Sequence, residues 1–86
     1  MIEAAQFYET ESTGLGIDFF DDVQRVIDSV RDQPKLGVSI DEHLRRALLL
    51  RFPYSLIYSE EAGSILIVAV AHQRRRPDYW RERIDR

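Results

Sequence analysis

The sequence predicts an α+β fold: a helical hairpin packed on a small antiparallel sheet of three strands, with a short C-terminal helix. Three observations predict it. Apolar residues recur at helical spacing up to Pro34. The second half breaks into short apolar runs separated by Pro53 and Gly63. The chain has 86 residues, enough for one core, so residues 1–86 are read as a single domain.

The elements follow in order. From Met1 to about Glu11 the chain lacks breakers, and Ile2, Ala5 and Tyr8 share a helical face with Phe7 beside them. Ser12-Thr-Gly-Leu-Gly16 carries turn and cap chemistry. The next helix has an apolar stripe of Phe19, Phe20, Val23, Val26, Ile27 and Val30. Asp18, Asp21 and Asp22 lie near its N-terminus, where the helix dipole favours negative charge, and Pro34 closes it. Two helices joined by a short turn form an αα-hairpin.

Residues 35–44 read as a connector with mixed signals. Arg46-Ala-Leu-Leu-Leu50 reads as the first strand, and Pro53 marks a turn because it cannot donate to a ladder. Tyr54-Ser-Leu-Ile-Tyr58 is the second strand, and Glu60-Glu-Ala-Gly63 is a hairpin turn in which Gly63 can take positive φ. The third strand, Ser64 to Ala71, is apolar on both faces and is expected to be central and covered on both sides. Pro77 suits the first turn of a terminal helix from Asp78 to about Ile84.

Composition narrows the function classes. With no cysteine, disulfides and thiolate metal sites are excluded, and Glu42-His43 matches no ligand pattern, so no metal or cofactor is expected. No apolar run has the length of a membrane span and the N-terminus carries no signal-sequence pattern, which points to a cytoplasmic protein. The net charge of −3 hides a split. Residues 1–42 hold ten acids and three bases, or −7, and residues 43–86 hold five acids and nine bases, or +4. Eleven of the twelve basic residues are arginines, whose planar forks grip phosphates and carboxylates bidentately. A basic half of this kind suggests an anionic partner, nucleic acid or an acidic protein segment; pairing with the chain's own acidic half is the alternative reading.

The densest cluster follows the last strand: His72, Arg74, Arg75, Arg76, Tyr79, Trp80 and Arg81. These residues stand in a pattern that resembles the RelE/ParE superfamily of toxins, also called plasmid stabilisation proteins. The matching pieces are Glu3-Ala-Ala-Gln-Phe-Tyr-Glu9, Gly14-Leu-Gly-Ile-Asp-Phe19, Arg46 with Leu48 to Leu50, Arg51-Phe-Pro-Tyr54, Ile57-Tyr58, and Val68-Ala-Val-Ala-His72 with Arg74-Arg75 and Pro77-Asp-Tyr-Trp80. They span nearly the whole chain in order, and the pattern is most similar to the ParE-like branch. Family members usually begin with an additional strand, whereas this sequence opens inside the first helix. The resemblance therefore implies an open sheet edge, covered by a second copy or by a partner.

The resemblance implies the toxin component of a type II toxin–antitoxin module. A ParE-like member would inhibit growth by binding a protein target such as DNA gyrase, with no catalysis of its own. Its target- or antitoxin-binding surface would use Arg46, Arg51, Arg74, Arg75, Arg76, Tyr79 and Arg81. A RelE-like member would instead be a ribosome-dependent, metal-independent mRNA endonuclease, with His72, Arg74 and Tyr79 as the catalytic candidates. RelE-type sites are rich in lysine, and this chain has only Lys35. A third reading is an inactive member that retains only antitoxin binding. The implied partner is an antitoxin, docked by a helix in a groove or by strand addition. Structural roles stand beside each functional one: His72 at the rim of the core, Tyr54 and Tyr58 as cross-strand packing residues, Trp80 as an apolar anchor, the arginine run as a solvated turn, and Arg46 or Arg51 paired with Glu60 or Glu61.

Overall fold

A computed structural model describes residues 2–73. The expected C-terminal helix lies outside the described residues, as do Arg74, Arg75, Arg76, Tyr79, Trp80 and Arg81. Helices α1 (Ile2–Glu11) and α2 (Leu15–Asp32) precede strands β1 (Val38–Ser39), β2 (Arg45–Leu48), β3 (Tyr54–Glu61) and β4 (Ser64–His72). The strands form one antiparallel sheet in the order β1-β2-β3-β4.

The helical hairpin forms as its pattern predicts. Phe19, Val23, Val26 and Val30 are buried on one stripe of α2 with Ile27 half-buried, whereas Phe20, read as part of that stripe, is 40% exposed. Burying a side chain of this size contributes about 1.5–3 kcal/mol, so the stripe is the main attachment of α2 to the sheet. Gly14 begins α2 at φ 91 and brings no side-chain cap. Glu9 of α1 does that work instead: its carboxylate accepts from the backbone N–H groups of Gly14, at 3.0 and 3.1 Å, and of Gly16, at 3.1 Å. A negative group at a helix N-terminus also suits the dipole. Gly16 is needed where the helices meet, since a Cβ there would stand 2.8 Å from the Ala5 carbonyl oxygen.

The sheet corrects the sequence reading in three respects. Among the described residues it has four strands rather than three, because Val38 and Ser39 pair with Arg46 and Arg45 inside the stretch read as a connector. Two residues carry too little pattern to be read as a strand. They are held from outside, by Arg45 Nη1 donating to the Gly37 carbonyl at 2.8 Å and by the Tyr58 hydroxyl accepting from the Gly37 N–H at 2.9 Å. Next, the hairpin turn is shorter than expected. β3 runs to Glu61, pairing it with Ser64, so the loop is Ala62 and Gly63 alone, with Gly63 at φ 77. Lastly, among the described residues β4 is an edge strand and is not covered on both faces: Leu66 is 54% and Ile67 38% exposed. The strand buried on both faces is β3, from Ser55 through Ser59.

Two apolar clusters flank β3. On the helix side Leu56 and Tyr58 pack with Phe19, Val23, Val26, Val30 and Ala47, and Ile65 and Val70 of β4 join them. On the opposite side Ile57 and Ala71 are buried, with Leu44, Val68 and Ala69 against them. A register shift between Ile57 and Tyr58 leaves Val68 as an extra residue of β4, since Ile57 pairs with Ala69 and Tyr58 with Ile67. That bulge puts Val68 and Ala69 on the same side of the sheet.

Candidate functional site

The site is built at the end of the sheet where β2 turns into β3 and β4 leaves. Pro53 ends pairing there, and the loop between β2 and β3 would otherwise expose its own amides. Asp22, buried on α2, satisfies two of them: its carboxylate accepts from Leu50 N–H at 3.1 Å and Arg51 N–H at 2.7 Å. A buried carboxylate is costly without such donors, and here its two oxygens fix the loop to the helix. Phe52 then turns inward, buried against Tyr8 and Phe19 with ring centroids 4.6 and 5.3 Å away. The sequence reading assigned Asp22 to the helix dipole and missed this role, which pairs residues nearly thirty positions apart.

The exit of β4 is fastened to the same loop. Tyr54 pairs with His72 in the ladder, and their rings meet edge-on with centroids 4.9 Å apart. Gln73 donates its backbone N–H to the Pro53 carbonyl at 2.9 Å and its side-chain Nε2 to the Tyr54 carbonyl at 2.9 Å. The end of β4 is thus fastened beside the Arg51–Tyr54 loop. Tyr8 lies in the aromatic wall behind, 6.3 Å from Tyr54 and 5.6 Å from Phe19. Burial raises the Tyr8 phenol above its ordinary pKa, because the apolar wall disfavours the phenolate.

The structure separates residues that the sequence had grouped. Arg51 and His72 share this end of the sheet. Arg51 is turned to Asp18, with Nη2 to Oδ2 at 3.8 Å between half-exposed groups, rather than to Glu60 or Glu61. An exposed pair of that length contributes little to stability, so the guanidinium can exchange Asp18 for another anion at small cost. Arg46 is elsewhere: it pairs with Ile57 in mid-sheet, on the side away from the helices, and is exposed. Tyr58 is a structural residue, fully buried, with its hydroxyl donating to the Pro34 carbonyl at 2.6 Å.

Two open grooves lie at the other end of the sheet, one on each face of the β3–β4 hairpin. The first, about 550 Å³, has Ile27, Pro34, Ile65 and Ile67 as its apolar floor and Arg31 and Glu60 on its rim. The second, about 480 Å³, runs between Leu44, Leu66 and Val68 beside Glu42 and His43. Among the described residues, no group of three His, Cys, Asp or Glu side chains is placed to hold a metal ion. No helix among them is long and apolar enough to cross a membrane. No family model, curated protein or solved structure matches the chain.

Proposed function

We propose that this chain is the toxin component of a type II toxin–antitoxin module, ParE-like, acting by binding a protein target such as DNA gyrase. The observation that most supports this reading is the fastening of the β4 exit to the Arg51–Tyr54 loop by Gln73 and His72. Two stretches of the sequence resemblance, Arg51-Phe-Pro-Tyr54 and Val68-Ala-Val-Ala-His72, thereby adjoin in space. The order of elements, a helical hairpin followed by antiparallel strands, accords with the fold that the resemblance implies.

A binding role is favoured over the endonuclease because RelE-type sites are rich in lysine and this chain has only Lys35. Among the described candidates, Arg51 faces Asp18, Arg46 is across the sheet, and the His72 ring meets Tyr54 edge-on.

Induced expression of the full chain in bacteria tests the reading, followed by a supercoiling assay with purified gyrase. The expected result is growth arrest and accumulation of cleaved DNA trapped on the enzyme, both reduced by Arg51→Glu. Unimpaired growth together with normal supercoiling overturns it. Cleavage of ribosome-bound mRNA that is lost in His72→Ala would transfer the proposal to the endonuclease.

A further inference from the structure

Natural edge strands are blunted by short length, charge, proline or a covering element. β1, at one edge of this sheet, is two residues long. β4, at the other, is nine residues long and has no proline and no Asp, Glu, Lys or Arg from Ser64 to His72. Among the described residues nothing pairs with its outer side. Its one irregularity is the bulge at Val68.

We infer that β4 pairs antiparallel with β4 of a second copy, joining the two four-stranded sheets into one. Two independent features select this occupant. The first is the way the side chains face. Ile65, Ile67, Val70 and His72 lie on the helix side, and Leu66, Val68, Ala69 and Ala71 on the other. A two-fold axis between Val68 and Ala69 sets Ile65 against the partner's His72, Leu66 against the partner's Ala71, Ile67 against the partner's Val70 and Val68 against the partner's Ala69. Every pair then keeps to one side of the joined sheet, and the two bulges meet at the axis. A one-residue slip would set the exposed Leu66 and Ile67 against residues of the wrong side.

The second feature is charge. The hairpin end of β4 lies beside Glu60 and Glu61, both exposed. The exit end carries His72 and, next in sequence, Arg74, Arg75 and Arg76. Antiparallel pairing brings the acidic end of each copy to the basic end of the other, twice over. Parallel pairing would set acid beside acid. An isologous contact of this kind closes on itself and stops at two copies. It also brings the partner's Glu60 and Glu61 toward His72 at the candidate site. None of this depends on the toxin reading.

Analytical ultracentrifugation of the full chain across a concentration series tests the inference. The expected result is a monomer–dimer equilibrium that weakens with added salt. Leu66→Lys, at a position 54% exposed in the single chain, is expected to weaken the dimer by about tenfold or more with an unchanged circular dichroism spectrum. The chain has no cysteine, so Leu66→Cys with Ala71→Cys reports register. The two positions are about 16 Å apart along one strand, too far to bridge within a copy, and are expected to oxidise to a covalent dimer. A chain that stays monomeric at the highest concentration overturns the inference, and so does a dimer indifferent to Leu66→Lys.

Discussion

β3 and β4 are neighbours in one sheet, both rich in apolar residues, and they end in opposite circumstances. β3 is buried from Ser55 through Ser59 although that stretch includes two serines. β4 is apolar from Ile65 to Ala71, and only Ala71 is buried. An apolar run therefore states what a strand requires, and the order of strands decides what it receives. β3 lies between β2 and β4, under α2 on one side and the Ile57 cluster on the other. Among the described residues β4 has one flank, and its exposed apolar side chains form the surface from which self-association is inferred.

Matched leucines in the two strands give the largest contrast. Leu56→Ala in β3 is expected to cost about 2–5 kcal/mol in urea unfolding, because a fully buried leucine leaves a cavity. Leu66→Ala in β4, measured at concentrations where the chain is monomeric, is expected to change stability by about 0.5 kcal/mol or less. Equal costs would break the comparison.

Smaller effects sharpen it. Tyr58→Phe keeps the buried ring but removes the hydroxyl that serves the Pro34 carbonyl and the Gly37 N–H. A cost of about 1–3 kcal/mol is expected, with faster amide exchange at Gly37 as the specific readout. Ser55 is the reverse case. Its hydroxyl is buried and finds no hydrogen-bond partner among the described residues. Ser55→Ala is expected to be neutral or stabilising by about 1 kcal/mol in the same unfolding assay.

The smallest effect is a pH dependence at the aromatic wall behind Tyr54. Tyr8 has a folded-state pKa raised by burial. Its contribution is therefore fully present below the unfolded value, near 10, and is lost as pH rises through the higher folded value. Unfolding midpoints at pH 9 and above pH 10 should diverge in the native chain and diverge less in Tyr8→Phe.

Part of the candidate site was legible in the same way as the fold. Pro53 announced the loop that carries Arg51 and Tyr54. That Arg46 lies away from Arg51 was not legible, because both flank one short apolar run and nothing local says which face each takes. Asp22 was legible only as one of three acids at a helix start. Its selection as the buried anchor of Leu50 and Arg51 depends on the distance between α2 and a loop almost thirty residues away.

The sequence by itself determined what is local. The α2 stripe, the stop before Pro34, the break at Pro53 and the positive φ at Gly63 each follow from a few adjacent residues and from backbone sterics. Only the tertiary structure decided which strand is central, that Val38 and Ser39 join the sheet, and which of three aspartates is buried. These outcomes depend on contacts between residues far apart in the chain. A pattern of apolar positions records the demand for cover at each one, and carries no record of which neighbour supplies it.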